Sequence, residues 1–573
     1  MLLSVSTRTG PSLQVLVAWL LALACEAKSP AEWISSRRVV YQLIVDRFAS
    51  FEDTCGIGNC TGGNVCGGTW EALANNLPYI KGMEFNAIYI SPIMKNLPCG
   101  YHGYHPLDWT SLNDRLGTAK DLRKLVAKAH QSDIWVMVDV VVNNAGPNTD
   151  VPEPMNWTQV VPFNSPKYYH PYCPMDFENE TSNEVCWLWK LPDLNESIPF
   201  VREFLINWTA GLSSKWGFDG LRLDAVKHMP IAFWQELSAA IGEDTYAIGE
   251  VLSQKAADVA PYQYDRKTGG TALDGLFNYP LYFALRDVFV DRGSMWKISG
   301  TLNDVKRNIK DPRGLGVFVD SHDLPRFLRS QKDVQLYKSA LTFVLSTEGI
   351  PFIYYGTEQG DDASPEVDGE EWTDEHNRKP LWRLGYSTEH PLFRLIKTMN
   401  SLRHAGVFDG PQEEIWVDDH VYVFARGTTL VMTSNVGKFG VFTQNLPLST
   451  LPIEYQAGGQ ACNLLARLWA EDASTPQPDG PAASPDVPLC YNVTQDGLTF
   501  RSEGGWPMVL VPRNGDGEQP QLIEEVEEHL HAIRAGEGEG GHTSGEAGRG
   551  IAWLSVAALC VVWALFEYRL RLT

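Results

Sequence analysis

Short apolar runs alternate with amphipathic stretches of helical length through most of the chain. The apolar runs that resemble strands occupy 38–48, 86–91 and 134–143. Helical patterns at 67–81 and 117–130 separate them. Strands that alternate with helices in this way predict a parallel sheet, here closed into a barrel.

Two segments depart from this rhythm. Residues 144–192 are rich in Pro, Asn and Tyr and carry few helix or strand signals, so we expect a long functional loop there. The barrel pattern resumes at 193, and its last helices are expected to end near Ala405. From 406 to 512, short segments of alternating polarity predict an antiparallel β domain.

Three of the predicted barrel strands end in acidic residues. The stretch 220–228 alternates leucines with Arg222 and Asp224, so the guanidinium and the carboxylate share one face of the strand. A neighbouring guanidinium keeps a carboxylate ionised, as a nucleophile requires, although a structural ion pair is the alternative interpretation. Two further apolar runs end in Glu250 and Asp323. Carboxylates at strand ends match the place where a (β/α)8 barrel holds its catalytic residues.

The motifs around these acids read GLRLDAVKH, GEV and FVDSHD. They resemble the second, third and fourth signature regions of the α-amylase family, glycoside hydrolase family 13. The resemblance is closest to secreted fungal α-amylases and covers the chain from about Val39 to Pro512. It implies an α/β fold with a (β/α)8 TIM barrel, an inserted domain B after the third strand and a C-terminal antiparallel β-sandwich. The implied boundaries are 28–143 and 193–405 for the barrel, 144–192 for domain B and 406–512 for the sandwich.

The resemblance also implies roles for individual residues. Asp224 resembles the family's nucleophile, Glu250 its acid/base and Asp323 its third acid, which holds sugar hydroxyls. Retaining glycosidases hold the first two carboxyl groups roughly 5–5.5 Å apart. The residues implied in substrate binding are Tyr104, Asn144, Arg222, Lys227, His228, His322, Asp374 and Arg378. Within this set, Arg222 is expected to orient Asp224, and Asp374 with Arg378 to anchor the next glucose.

A calcium site is implied in the same way. The ligands that the resemblance assigns are Asn143, the carbonyl of Glu184, Asp193 and the carbonyl of His228. Calcium prefers several oxygen ligands, including backbone carbonyls. One Ca²⁺ would therefore join domain B to the barrel, although ordinary turns are the alternative interpretation of Asn143 and Asp193.

Two positions depart from the family pattern, and the first of them leaves the function open. The first signature region usually ends in Asn-His, whereas Asn144 follows Asn143 here. An amide donates a hydrogen bond but cannot carry a charge. His105 is a second departure, because fungal amylases usually carry Trp there. Three functions are therefore considered: a retaining α-amylase that hydrolyses internal α-1,4-glucosidic bonds, a 4-α-glucanotransferase, and an inactive glucan-binding protein. The three intact acids favour the first.

Composition limits the possible partners. The chain has 573 residues and a net charge of -23, which argues against nucleic acid and anionic membrane surfaces. Its 19 Trp and 21 Tyr offer aromatic faces that suit sugar rings, although core packing accounts for most of them. We expect a monomer that binds an α-glucan polysaccharide or a maltooligosaccharide.

The two ends of the chain predict a secreted protein attached to a membrane. Residues 1–27 have the charge, apolar core and small-residue cleavage site of a signal peptide. Residues 513–550 are rich in Gly and Glu and predict a disordered stalk. The uncharged run within 551–573 predicts either a membrane helix or a lipid-anchor signal. We therefore expect an extracellular enzyme held at the cell surface.

The cysteines agree with secretion. Of the ten, two lie in the terminal apolar segments, and the other eight can form four disulfides. Spacing predicts Cys173–Cys186 and Cys462–Cys490, while the family pattern implies Cys55–Cys66 and leaves Cys60–Cys99. A metal cluster is the alternative, but the spacings do not resemble those of zinc ligands. Candidate glycosylation sequons lie at Asn59, Asn156, Asn179, Asn195, Asn207 and Asn492.

Overall fold

The computed structural model describes residues 28–50, 65–98, 100–146, 156–365, 374–474 and 489–513. All of them belong to the first of two structural units, 1–522, and the second unit, 523–573, lies outside the described residues. The signal peptide, the anchor segment, and Cys55, Cys60 and Cys99 also lie outside, so the predictions made for them stay predictions. Across the ranges described, no helix is long and apolar enough to span a bilayer.

Eight parallel strands form a barrel, as the alternation of strands and helices predicts. In chain order they are β1 Val40–Leu43, β2 Ala87–Ile90, β3 Trp135–Val140, β4 Gly220–Leu223, β5 Tyr246–Gly249, β6 Gly275–Leu276, β7 Gly316–Val317 and β8 Ile350–Tyr354. Each strand pairs with the next along the chain, β8 pairs with β1, and a bridge between Phe277 and Gly316 joins β6 to β7. The sheet is therefore closed, and its interior is filled by aromatic and branched side chains such as Tyr89, Ile248 and Phe352.

Helices pack around the barrel and within its connections. They are α1 Pro30–Ser35, α2 Val45–Phe48, α3 Trp70–Gly82, α4 Ala119–Gln131, α5 Glu180–Val185, α6 Pro199–Trp216, α7 Ile231–Ile241, α8 Ala256–Val259, α9 Tyr279–Leu285, α10 Trp296–Asn308, α11 Phe327–Ser330, α12 Val334–Ser346, α13 Pro391–His404 and α14 Ala466–Ser474. Thr118 caps α4 in a capping box with Asp121, which explains why the helix begins where the sequence predicts. The first predicted strand, 38–48, is shorter than expected because its second half turns into α2.

The connection between β3 and β4 has little regular structure, in agreement with its composition. It contains α5, several single helical turns and the predicted disulfide Cys173–Cys186. Bridges from Asn144 to Asp193 and from Tyr169 to Leu194 hold its two ends together. A hairpin of Met94–Asn96 and Pro106–Leu112, which the sequence pattern did not predict, lies beside it.

The C-terminal part is an antiparallel sheet, as predicted, and it has eight strands. The strands are β9 Gln412–Val417, β10 Val421–Arg426, β11 Thr429–Ser434, β12 Val441–Leu446, β13 Gln460–Asn463, β14 Cys490–Thr494, β15 Gly497–Glu503 and β16 Met508–Arg513. Their spatial order is β9-β10-β11-β16-β13-β14-β15-β12. Strands from both ends of this order, such as β10 and β15, contribute side chains to one core. The predicted disulfide Cys462–Cys490 joins β13 to β14.

Candidate active site

The three predicted catalytic acids lie at one end of the barrel. Asp224 follows β4, Glu250 follows β5, and Asp323 lies in the loop that follows β7. The carboxyl ends of parallel strands meet at the same rim, so the fold brings these positions together. Gly249 precedes Glu250 in tight packing, and a Cβ atom there would collide with Leu273. The glycine therefore lets β5 approach its neighbours closely where it delivers the acid.

Arg222 is the centre of the site. Its Nη1 donates to Asp224 Oδ1 at 2.6 Å, and its Nη2 donates to Glu250 Oε2 at 2.8 Å. Nη1 also donates to both carboxylate oxygens of Asp139, at 3.0 and 3.1 Å. The side chain is 3% exposed, so these bonds form in surroundings of low polarity, where charge-assisted hydrogen bonds are strong. One guanidinium therefore fixes both acids and a third carboxylate that supports it.

The charge of Asp224 depends on its burial and on two charged neighbours. Burial raises the pKa of the Asp224 carboxyl well above its usual value, Arg222 opposes this shift, and the neighbouring Glu250 adds to it. A second carboxylate nearby disfavours the anion of Asp224, whereas a bound guanidinium favours it. Arg222 therefore works against burial to keep Asp224 available as the anion that a nucleophile requires.

Asp323 is in a different electrostatic environment. Burial alone would raise the pKa of its carboxyl, but His322, Arg378 and Arg222 outweigh this and hold that pKa well below the usual range. Its Oδ2 is 2.8 Å from His322 Nε2, and Arg378 Nη2 donates to its Oδ1 at 3.1 Å. Asp323 is therefore a stable anion that can accept hydrogen bonds from a ligand.

Tyr104 and His322 form part of the floor of the site. Their rings lie within 6° of parallel, and the Tyr104 hydroxyl donates to Asp139 Oδ2 at 2.6 Å. The Gln42 amide donates to His322 Nδ1 at 2.6 Å, which places the imidazole proton on Nε2. That proton points toward the Tyr104 oxygen, 2.6 Å away, and toward Asp323. The arrangement makes His322 a hydrogen-bond donor at this floor.

The other predicted binding residues are placed less uniformly. Arg378 donates from Nε to the His322 carbonyl at 2.9 Å and lies at the site. Lys227 and His228 form a helical turn directly after Asp224 and Ala225, on the rim. Asp374 begins the turn that ends at Arg378, but its side chain is not among those that the structure describes. The predicted pairing of Asp374 with Arg378 therefore stays a prediction.

Asn144 has a structural partner. Its side chain is buried, and Nδ2 donates to the Tyr104 carbonyl at 3.2 Å. The amide therefore supports the backbone of the residue that forms the floor. Position 144 therefore carries an uncharged donor, and the Tyr104 carbonyl already accepts its hydrogen bond.

Four residues of the site were missed by the sequence analysis: Gln42, Tyr89, Asp139 and Tyr279. Tyr89 and Tyr104 both donate to Asp139, and Tyr279 donates to Glu250 Oε1 at 2.9 Å. Asp139 carried a usable signal, because a carboxylate inside an apolar strand requires a charged or donor partner. Its register neighbour on β4 is Arg222, its partner in the structure. The aromatic residues carried no such signal, because tyrosines in strands usually pack in the core.

Three of the residues assigned to calcium, Asn143, Asp193 and His228, meet between β3, the connection after it and the turn after β4. Asn143 Nδ2 is 2.8 Å from Asp193 Oδ1 and 2.9 Å from the His228 carbonyl oxygen, and its own Oδ1 is buried without a partner. Oxygen and nitrogen of an amide exchange by a simple flip, which would present Asn143 Oδ1 beside those two oxygens. Glu184 lies in α5, whose Asn183 carbonyl is 3.1 Å from His228 Nδ1.

This donor set suits calcium. It consists of oxygens from a carboxylate, an amide and backbone carbonyls, the mixture that Ca²⁺ prefers. Among the described residues, no three or more His, Cys, Asp or Glu side chains are grouped so that they could hold a metal ion. The assigned ligands include only one carboxylate, so they would not form such a group. The buried amide oxygen of Asn143 has no hydrogen-bond partner, and a bound cation would supply one.

A (β/α)8 barrel with paired acids at its rim is typical of a glycoside hydrolase. Comparison with known proteins identifies the family. Residues 46–403 match the family model for the alpha-amylase catalytic domain. Alpha-amylase 2 of Schizosaccharomyces pombe is 33% identical over 406 residues, which cover 68% of this chain and 67% of that protein. The chain belongs to the α-amylase family.

Solved structures agree with this assignment. An alpha-amylase from Malbranchea cinnamomea superposes with a TM-score of 0.73 at 32% identity, covering 84% of this chain and 97% of that one. The alpha-amylase of Geobacillus thermoleovorans, solved with acarbose, gives a TM-score of 0.68 at 26% identity, covering 84% and 99%. Both similarities cover most of the chain, so the predicted fold class is confirmed.

Proposed function

We propose that the protein is a retaining α-amylase that hydrolyses internal α-1,4-glucosidic bonds of α-glucans. The observation that carries this proposal is the shared guanidinium of Arg222, which binds Asp224 and Glu250 through different nitrogens. Carboxyls that share one guanidinium are close neighbours, whereas inverting enzymes keep theirs roughly 6.5–9.5 Å apart to admit a water. The relatives' names and the acarbose bound to one structural neighbour support an α-glucan substrate.

The reaction proceeds in two steps. Glu250 gives its proton to the glycosidic oxygen while Asp224 attacks the anomeric carbon, and a covalent glycosyl-enzyme forms. Water then attacks that carbon, and Glu250 takes the proton of the water, which releases the sugar from Asp224 with its original anomeric configuration. Tyr279 holds Glu250 Oε1, so the other oxygen faces Arg222.

The remaining residues bind the sugar as it distorts. Asp323 is held as an anion, so it accepts bonds from sugar hydroxyls, and His322 donates from Nε2 at the same place. The Tyr104 ring offers an apolar face beside them. Because an oxocarbenium-like centre carries positive charge, the anionic carboxylates near it stabilise the transition state more than the ground state.

Digestion of maltoheptaose tests this function. We expect shorter maltooligosaccharides as the main products, and proton NMR during the first turnovers should show the new reducing ends in the α configuration. The Glu236→Gln variant, which alters only a surface ion pair with Arg202, serves as the control. New ends that first form in the β configuration would contradict the retaining mechanism.

The same digestion measures the second candidate function, 4-α-glucanotransfer. The observation that favours some transfer is Asn144, whose uncharged amide is occupied by the Tyr104 carbonyl. A charged donor is worth about 1.5–3 kcal/mol in a hydrogen bond, so its absence slows hydrolysis. Transfer would appear as chains longer than the substrate, and a majority of such products would make the protein a transferase.

We propose further that the chain binds Ca²⁺ through Asn143, Asp193 and the carbonyls of Glu184 and His228. When bound, the ion supplies charge that fixes the ligand loops of the connection after β3 against the barrel rim. Asn143 and Asp193 hold opposite sides of this junction in the structure, and His170 Nδ1 lies 2.6 Å from Asp193 Oδ2 and orients it.

Removal of calcium should lower the melting temperature. An ion that binds only the folded state stabilises it by about 2.7 kcal/mol at a concentration one hundred times its Kd. We expect EDTA to lower the melting temperature of the wild type, and added Ca²⁺ to restore it. The Asp193→Asn variant should respond much less. Asp265→Asn, in the two-stranded hairpin of Tyr264–Asp265 and Gly270–Thr271, should respond like the wild type. A wild-type melting temperature indifferent to EDTA would contradict the site.

A further inference from the structure

A buried asparagine, Asn377, lies behind the loop that carries Asp323. Its side chain is 2% exposed and belongs to the helical turn Asp374–Arg378, which the chain reaches only after β8. Asn377 Oδ1 accepts from the Arg326 amide at 3.3 Å, and Nδ2 donates to the Leu324 carbonyl at 3.0 Å. These partners precede Asn377 by 51 and 53 residues, so one side chain joins the turn to the loop after β7 through both ends of its amide.

Asn377 is itself fixed to the barrel. The Tyr354 hydroxyl, at the end of β8, donates to the Asn377 carbonyl at 3.1 Å. The Arg326 guanidinium lies over the ring of Tyr354, 4.1 Å from its centroid, and its Nη1 donates to the Tyr355 carbonyl at 2.6 Å. Arg326 and Tyr354 are fully buried, and hydrogen bonds are strong in surroundings of low polarity. The contact between the turn and the loop therefore has a rigid support.

The turn holds the backbone on both sides of Asp323. Asn377 binds the carbonyl of Leu324, the residue directly after Asp323. Arg378, the next residue of the turn, donates from Nε to the carbonyl of His322, the residue directly before it. The backbone that carries Asp323 is therefore fixed by two neighbouring side chains of one turn.

The position of the Asp323 carboxylate depends on this support. Its side chain is 37% exposed, so packing does not enclose it on all sides. His322 and Arg378 bind the carboxylate, and both of them are tied to the same loop and turn. A misplacement of about 1 Å at a reacting centre can cost about a hundredfold in rate. A shift of the loop would move Asp323 and His322 together.

We propose that Asn377 is a positioning residue that acts through Asp323. This inference rests on the proposed function, because Asp323 accepts hydrogen bonds from sugar hydroxyls there. Such bonds strengthen as the sugar ring distorts, so their misalignment destabilises the transition state more than the ground state. Since Asn377 is buried behind the loop, its loss lowers kcat while KM changes little.

Fluoride release from α-maltotriosyl fluoride tests this role. We expect Asn377→Ala to lower kcat about ten- to a hundredfold with little change in KM. Asp323→Asn removes the charge that Asn377 positions. If Asn377 acts through Asp323, adding Asn377→Ala to Asp323→Asn should cost little more than Asp323→Asn alone. Losses that multiply in the double variant would overturn the proposal.

The matched control is Asn435→Ala. Asn435 is 3% exposed and also bridges two segments, because its Nδ2 donates to the carbonyls of Gly293 and Asp419 at 2.6 and 2.9 Å. This variant should lower the melting temperature and keep the kcat of the wild type. If Asn435→Ala lowers kcat as far as Asn377→Ala does, the effect is a general loosening of the fold and the positioning role is wrong.

A second variant decides the matter if Asn377→Ala does not fold. Asn377→Asp keeps the side-chain shape and the acceptor for the Arg326 amide, but it places an oxygen against the Leu324 carbonyl. We expect the same loss of kcat and the same lack of additivity with Asp323→Asn, and a wild-type kcat would overturn the role.

Failure of the proposed function is recognised separately, because the wild type would then release no fluoride. In that case the affinity for maltoheptaose, measured by tryptophan fluorescence, replaces kcat in the comparison of single and double variants. Losses of affinity that do not multiply support the positioning of Asp323 by Asn377, and losses that multiply overturn it.

Discussion

Glu250→Gln and Asp224→Asn should each abolish turnover of maltoheptaose. We expect a loss of about 10²–10⁴-fold for Glu250→Gln, the range for removal of a general acid. Asp224→Asn should lose about 10⁴-fold or more, because it removes the nucleophile itself. Both substitutions keep the side-chain shape beside Arg222, so the melting temperature should change little.

A substrate with a good leaving group separates the two roles. Fluoride needs little protonation, so Glu250→Gln should still release it from α-maltotriosyl fluoride in the first turnover, whereas Asp224→Asn should not. Glu236→Gln, at an exposed ion pair, is the control for loss of a carboxylate. Equal behaviour of the two active-site variants toward the fluoride would show that the roles are assigned wrongly.

Arg222→Lys should cause the second large loss. A lysine ammonium is a single point of charge and cannot hold Asp224 and Asp139 from one nitrogen and Glu250 from another. Breaking a buried charge network costs about 3–5 kcal/mol when partners are left unpaired, and lysine replaces only part of that. We expect activity to fall at least about a hundredfold, together with a lower melting temperature.

The pH profile of this variant separates chemistry from stability. Burial raises the pKa of Asp224 and Arg222 lowers it, so weakening the guanidinium contact should raise that pKa further. The acidic limb of kcat/KM should then move to higher pH, because the nucleophile must be ionised. Arg403→Lys is the control, since Arg403 is buried between carbonyl groups of Leu345 and Gly349. A limb that stays in place would contradict the role of Arg222.

Asp224, Glu250 and Asp323 could be predicted because each one follows a recognisable apolar strand. Arg222 and Asp224 alternate with leucines at a period of two, and that spacing alone places them on one face. Parallel strands then bring Glu250 and Asp323 to the same end of the barrel. These features depend on local pattern and on topology, both of which the sequence contains.

The network that joins the acids could not be predicted in the same way. No local pattern predicts that Tyr279 contacts Glu250 or that Gln42 contacts His322, because these pairs depend on the register and radius of the closed barrel. Tyr104 and Asn144 are forty residues apart in number and meet only through the hairpin after β2. Asp139 was the exception, because a buried carboxylate in β3 requires a partner on a neighbouring strand.

The connection between β3 and β4 also has a feature that the sequence does not predict. Its composition predicts an irregular connection, and the short spacing between its two cysteines predicts the disulfide Cys173–Cys186. Neither indicated the left-handed turn that exposes Trp189, because non-glycine residues with positive φ have no reliable sequence signal. The conformation of this turn is therefore visible only in the structure.

The identity of the residue that carries the glycosyl intermediate tests the central claim most directly. Glu250→Gln protein should accumulate the intermediate from α-maltotriosyl fluoride, because the base that activates water is missing. Mass spectrometry of peptides from the quenched reaction should then place one maltotriosyl group on Asp224. A sugar on any other residue, or fluoride release without any covalent adduct, would contradict the proposal of a retaining mechanism built on Arg222, Asp224 and Glu250.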